Sequence, residues 1–264
     1  MQTSTPRLLA HREGPIGFIV FDHQQRRNAM SRDMWQALPE ALEALEADPA
    51  VRVLLLSGAG QHAFVSGADI SEFDSARASW QAEQQYSREC DGALLRLQAV
   101  AKPTIAMIRG YCIGGGMAIA LSCDLRIAAE DARFGIPAAR LGLGYGFDGV
   151  RALTDVVGPA HAKEILFIGR QLGARDALRI GLVNQVTDSA ELHPIARATA
   201  THIAENAPLT IRASKLAIDE LRKDPEQRDL ARVNAAVAQC FDSADYAEGC
   251  RAFREKRRPR FEGR

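Results

Sequence analysis

Pro103-Thr104-Ile105-Ala106-Met107-Ile108, then Gly114-Gly115-Gly116, then Met117 to Ser122 is the stretch on which the reading of this chain turns. A short apolar run with β-branched residues predicts a strand, and Met117 to Ser122 predicts a helix, with the glycines at the junction. Without Cβ atoms a glycine turn approaches a ligand closely, and a helix start presents unpaired backbone N–H groups. The segment therefore predicts a site for an oxyanion. Earlier in the chain, Ala63-Phe64-Val65-Ser66-Gly67-Ala68-Asp69-Ile70 follows an apolar run at 51–56 and again sets small residues where the chain turns. One N–H from each of two such turns is enough to clamp a single oxygen.

Outward from these turns the pattern is α/β. Residues 16–21 and 51–56 read as strands, short, apolar and bounded by Gly, Asp or Ser. Between them Met34, Leu38, Leu42 and Leu45 recur at helical spacing, from an N-cap at Ser31 to a stop at Asp48-Pro49. Residues 105–108 and 125–129 repeat the strand pattern around the glycine triplet, which predicts layers with mostly parallel strands. Residues 75–100 turn helical. After Val186 the patterns at 196–205, 209–221 and 231–241 are all helical, with breaks at Pro208 and Pro225. The expected division is an α/β core with the ligand site over residues 1–190 and a helical oligomerisation region over 191–264.

Composition narrows the function classes. The 264 residues carry 33 Lys plus Arg against 33 Asp plus Glu, so no global field recruits nucleic acid or an anionic membrane. The first fourteen residues lack the apolar stretch of a signal peptide and no run is long enough to span a bilayer, which predicts a cytoplasmic location. Five cysteines without a C-x-x-C pair fit a reducing compartment and read as packing residues; Cys112, beside the glycines, has no base near it in sequence. The six histidines are scattered without ligand spacing, so no metal is expected. Gly58-Ala59-Gly60 lacks the third glycine and helix start of a dinucleotide loop, so NAD is not expected.

Arg27-Asn28-Ala29-Met30, residues 63–70, the glycine triplet, Ser122-Cys123-Asp124, Leu141-Gly142-Leu143-Gly144 and Gly181-Leu182-Val183-Asn184 occur in this order across nearly the whole chain. Together they resemble the enoyl-CoA hydratase/isomerase, or crotonase, family. The resemblance implies the crotonase (ClpP-like) fold of repeated ββα turns with a C-terminal helical region. It also implies an acyl-CoA thioester ligand, with coenzyme A entering as part of the substrate and no separate cofactor. The oxyanion donors it implies are the backbone N–H groups of Ala68 and Gly115. Two preorganised donors lower the barrier to an enolate or tetrahedral oxyanion, by about 3–4 kcal/mol each. Arg26, Ala29, Ser66, Ala68, Asp69, Ile70 and Gly114 fall where family members line the channel for the CoA moiety, although Arg26 reads equally as a solvated cation. Lys256 in the basic tail, with Phe261, is similar to the family's terminal segment, which reaches the CoA of the same or a neighbouring subunit. A homotrimer or homohexamer follows from the same likeness. One family member binds RNA through a lysine-studded helix, but the matching residues 75–100 contain no lysine, so no nucleic-acid partner is expected.

The family's hydratases carry glutamates where this chain has Ala118 and Ala138. Adding water to an enoyl double bond needs one group to activate the water and another to protonate the α-carbon, and alanine does neither. Decarboxylation is the preferred expectation. The family's methylmalonyl-CoA decarboxylase has a tyrosine matching Tyr145 and a similar ending over residues 241–257, though it has histidine at the place of Ala68 and proline at Gly144. Loss of CO2 suits a site without carboxylates, with the enolate left in the oxyanion site. Tyr145 also reads as a ring packed at a turn with its hydroxyl on backbone. Asp148 is the nearest carboxylate in sequence to the missing glutamates and is a candidate acid or base; it reads first as the N-cap of the next helix. Glu72, Glu83, Tyr86 and Glu89 are further candidates that no spacing selects. The alternatives are a hydratase using a non-standard carboxylate and an inactive acyl-CoA binding protein.

Overall fold

The computed structural model describes residues 3–69, 71 and 80–264. Ten strands run in chain order: β1 (Leu8–Glu13), β2 (Ile16–Phe21), β3 (Val53–Gly58), β4 (Ala63–Val65), β5 (Thr104–Ile108), β6 (Tyr111–Ile113), β7 (Leu125–Ala129), β8 (Arg133–Gly135), β9 (Leu172–Gly173) and β10 (Gln185–Thr187). The helices are α1 (Arg32–Ala47), α2 (Trp80–Gln98), α3 (Gly115–Ser122), α4 (Ala138–Leu141), α5 (Phe147–Ile168), α6 (Ala174–Arg179), α7 (Leu192–Ala204), α8 (Pro208–Leu221), α9 (Leu230–Phe241) and α10 (Ala244–Glu255).

A six-stranded sheet has the order β1-β2-β3-β5-β7-β10, and a four-stranded sheet the order β4-β6-β8-β9. From β2 to β10 the larger sheet is parallel; β1 joins antiparallel to β2. Each pair β3/β4, β5/β6 and β7/β8 sends its first strand to the large sheet and its second to the small one, and a helix follows. This is the repeated ββα turn of the crotonase fold.

The buried strand faces explain the layers. Val53, Leu54, Leu55 and Leu56 are all fully buried, as a parallel strand covered on both sides requires. One face packs under α1, α3 and the small sheet. The other packs under Leu192, Ala196, Ala200 and Ala204 of α7, against Phe18, Val53, Leu55 and Ile105. The hydrophobic core thus runs on through α7, past residue 190, and the helices that stand outside it are α8 to α10.

Side chains tie the turns to the sheet. Asp124 Oδ2 accepts from the Thr104 N–H at 2.7 Å, from the Thr104 hydroxyl at 3.0 Å and from Lys215 Nζ at 2.8 Å. The guanidinium of buried Arg126 donates to the carbonyls of Ala120, Cys123 and Leu182, satisfying the C-terminal end of α3. Asn184 Oδ1 accepts from the Arg126 N–H at 2.8 Å. The Ser122-Cys123-Asp124 and Gly181-to-Asn184 segments are therefore braces that fix the glycine helix. Pro208 opens α8 at its first turn, where a missing N–H costs nothing, so the expected break is a helix start. No described helix is long and apolar enough to cross a membrane.

Candidate active site

The first half of the site is a pair of neighbouring turns. Arg27 and Asn28 hold left-handed φ values of 52° and 56°. Asn28 is buried, its Nδ2 donating to the carbonyls of Ala59 at 2.9 Å and Ala63 at 2.8 Å, while its Oδ1 accepts from the His23 N–H. That staple ties the loop to the connection between β3 and β4. The Ser66 N–H donates to Arg27 O, the Met30 N–H to Gly67 O at 2.8 Å, and the Asp69 N–H to Met30 O at 2.9 Å. In this parallel bridge between Met30 and Ala68 it is the residues flanking Ala68 that bond across. The Ala68 N–H points the other way and has no hydrogen-bond partner among the described residues.

The second half starts where β6 ends. Gly114 takes φ 52° and caps α3, so the N–H of Gly115 is among the first, unpaired donors of that helix. The approach is close: a Cβ on Gly116 would lie 2.2 Å from Val65 O, which forbids any other residue there, and one on Gly115 would lie 3.9 Å from the Gly67 carbonyl carbon. The two turns are in van der Waals contact, and both Ala68 and Gly115 are half-buried. They present two free N–H groups, from different turns, at one place. This is the geometry that an oxyanion requires.

Ala118 lies one turn further along α3 and borders a cavity of about 1230 Å³ between α2, α3, the start of α5 and the helices α8 and α9. Tyr145, Asp148 and Asp91 line it too. Tyr145 stacks its ring on Gly149, where a Cβ would meet the ring at 2.7 Å. Burial pushes its phenol up to about 12, so the hydroxyl keeps its proton. That hydroxyl has no hydrogen-bond partner among the described residues, and the expected bond to backbone is not formed.

Asp148 is not an N-cap. Gly146 is the N-cap of α5, and Asp148 sits in the first turn with its carboxylate bonded to no described residue. A turn of extended backbone at Gly146 starts the helix two residues earlier than the aspartate suggested; the position still favours a negative charge. Asp91, on α2 and exposed, has no hydrogen-bond or ion-pair partner among the described residues, and its carboxyl is raised by partial desolvation and then by the charge of Asp148. Two carboxyl groups, of which Asp91 is raised in part by the charge of Asp148, thus border the cavity at which Ala118 stands.

Of the other sequence candidates, Glu89 is committed: Arg32 holds it through two hydrogen bonds of 2.8 and 2.6 Å and lowers its carboxyl. Tyr86 is buried in the core and Glu83 accepts from Ser87. Ile70 and Glu72 lie outside the described residues. Arg26, Ala29, Ser66, Asp69 and Gly114 are brought together around the two turns. Arg26 O accepts the Ser66 hydroxyl, Ala29 O accepts from or contacts His23 Nδ1 at 3.1 Å, and Gly114 donates to Gly135 O. Asp69 is buried; burial opposes its charge, but the hydroxyl and N–H of Ser71 outweigh this and hold the carboxyl low. Lys256 and Phe261 are elsewhere in the chain: Lys256 ends α10 in a left-handed turn, and Phe261 packs on Gly249 with its carbonyl held by Arg52 at 2.6 Å. Cys112 is fully buried and its thiol is pushed far up by that burial, which leaves it a packing residue.

The sequence model of the family described as enoyl-CoA hydratase/isomerase matches residues 11–264. The chain belongs to that family. Among its relatives, the short-chain-enoyl-CoA hydratase of Clostridium acetobutylicum is 35% identical over 251 residues, covering 95% of each chain. The crotonyl-CoA hydratase of Syntrophomonas wolfei is 34% identical over 254 residues, covering 96% of this chain and 97% of its own. A crystal structure of an enoyl-CoA hydratase/carnithine racemase from Magnetospirillum magneticum superposes with a TM-score of 0.93 at 36% identity, over 99% of this chain and 97% of that one. Within this enoyl-CoA hydratase/isomerase member the carboxyl on the cavity that sequence reasoning missed is Asp91. A signal for it existed: Asp91, Leu94, Leu95 and Gln98 all line the cavity at the i, i+3, i+4, i+7 spacing of one helix face.

Proposed function

We propose that this family member hydrates an enoyl-CoA thioester through an enolate held by the N–H groups of Ala68 and Gly115, with Asp91 and Asp148 serving where the usual glutamates are absent. The observation that carries this is the carboxyl pair on the cavity that Ala118 borders. A carboxyl whose environment raises its proton affinity, as that of Asp91 does, suits the role of the acid and leaves the base to the other. Asp148 accepts a proton from water as its oxygen attacks the β-carbon, the electrons move onto the thioester oxygen, and Asp91 delivers its proton to the α-carbon as the enolate collapses. One water is added and the two carboxyls exchange one proton, which solvent restores. The hydratase names of the relatives point the same way.

Decarboxylation is the second reading, favoured by the protonated and unpartnered hydroxyl of Tyr145, which suits a substrate carboxylate. The preference for it rested on a site without carboxylates, and Asp148 would repel a malonyl-type group. Incubating purified protein with crotonyl-CoA and with methylmalonyl-CoA and following the masses separates the readings. A gain of water supports the first and a loss of CO2 the second. A bound thioester with no mass change in either would leave an acyl-CoA binding protein.

Self-association into a trimer or hexamer belongs to the same proposal. Phe253 is 86% exposed, Leu221 67% and Phe241 61%, a concentration of large apolar side chains on α8 to α10 that a partner subunit would cover. Lys256 and Phe261 lie in this region, so their contact with CoA would be made to a neighbouring subunit's ligand. Light scattering on a size-exclusion column measures the mass, and a monomer would remove this part.

A further inference from the structure

The cavity is lined by groups of both signs. Asp91, Asp148 and Tyr145 line it together with Ala118, and Leu94 and Leu121 add apolar surface. The far wall, from α8 and α9, is cationic: Arg212, Lys215, Arg222, Lys223 and Arg232 all line it. Three of these are matched. Lys215 pairs with Asp124 at 2.8 Å, Arg222 with Asp155 at 3.1 Å and Lys223 with Glu220 at 2.7 Å. Arg212 and Arg232, both exposed, have guanidinium groups with no hydrogen bond or ion pair among the described residues, although the charge of Arg232 helps to lower Glu220. Asp219 also lines that wall, its carboxyl raised chiefly by burial while Lys215 and Arg222 act to lower it.

We infer that the acyl group taken by this cavity ends in a carboxylate, which Arg212 and Arg232 hold at the end remote from the thioester. Guanidinium groups present paired donors that match a carboxylate, and such charge-assisted hydrogen bonds are the stronger kind. An aliphatic tail alone would leave both cations facing an apolar chain with no gain. A carboxylated tail spans the sequence of surfaces the cavity offers, from acid–base groups through an apolar wall to an anion site. The inference rests on the reading of the cavity as the acyl pocket.

The test compares binding, which needs no turnover. Calorimetry gives Kd for saturated acyl-CoA thioesters and for their ω-carboxylated counterparts over a series of chain lengths. The full-length protein should bind at least one carboxylated thioester about tenfold more tightly than its neutral counterpart, the size of one charge-assisted hydrogen bond at a partly exposed site. That ratio should fall toward one in Arg212→Gln and in Arg232→Gln, persist in Arg212→Lys, and shrink as salt is raised. Equal binding of both series by the native protein, or a preference unchanged in both glutamine variants, overturns the inference while leaving the acyl-CoA reading intact. Failure of every thioester to bind overturns the acyl-CoA reading and the inference with it.

Discussion

At the Gly67–Ala68 and Gly114–Gly116 turns the unpaired polar groups are backbone N–H groups, whereas around Ala118 the cavity is furnished by side chains. The turns are fixed from behind. Val65 O leaves no room for a Cβ on Gly116, Asn28 staples the adjoining loop, and Arg126 and Asp124 brace the far end of α3. None of these can change without moving the donors. The cavity wall carries no such constraint: Ala118 touches space, and the carboxyls opposite come from α2 and α5. On the proposed reading, oxyanion stabilisation is built into the fold, while the proton-transferring groups are replaceable residues around it. On that reading a chain without the customary glutamates keeps its enolate site whole and draws its acids from other helices.

Removing the side-chain chemistry should leave the backbone site working. Asp91→Asn and Asp148→Asn should each lower kcat for hydration by roughly 10²- to 10⁴-fold, the usual range for a general acid or base, with thioester binding retained in calorimetry. Undiminished turnover in both would assign the proton transfers elsewhere. Breaking the other side, Ala68→Pro deletes one donor and should cost roughly 10²- to 10³-fold in kcat for any reaction through the enolate, with the far-UV spectrum unchanged. Gly116→Ala acts on the frame: the added methyl meets Val65 O, and overpacking of this kind costs about 1–3 kcal/mol, read as a lower midpoint in denaturant. A stability equal to native would mean that α3 can shift without cost.

A smaller effect sharpens the electrostatic side. Asp91 is raised first by partial desolvation and second by Asp148, so as a proton donor it should set a limb in which kcat/KM falls as pH rises through its pKa. Asp148→Asn removes the second contribution and should move that limb to lower pH in the residual activity. A limb that stays in place would separate the two carboxyls.

The parts of this architecture that were legible in the sequence are those with a length or a backbone requirement. Residues 16–21, 105–108 and 125–129 are apolar runs long enough to announce β2, β5 and β7, and the glycines announced the turn before α3. The small sheet escaped because β4, β6 and β8 have three residues each, too few for any periodicity to show. Asp148 was read as a cap because aspartate favours that place, yet Gly146 precedes it with the extended backbone a cap needs. Asp91 was hidden among the charged and Gln residues of α2. Its distinction is tertiary, a carboxyl facing a second carboxyl that lies far along the chain.

Crotonyl-CoA turned over in heavy water gives the most direct test of the joint claim that backbone holds the enolate and Asp91 protonates it. Mass spectrometry and proton NMR should show one water added and one deuterium fixed on a single face of the α-carbon, by the native protein and not by Asp91→Asn or Ala68→Pro. Native protein that binds the thioester but forms no such product, or Asp91→Asn that forms it at the native rate, would contradict the account.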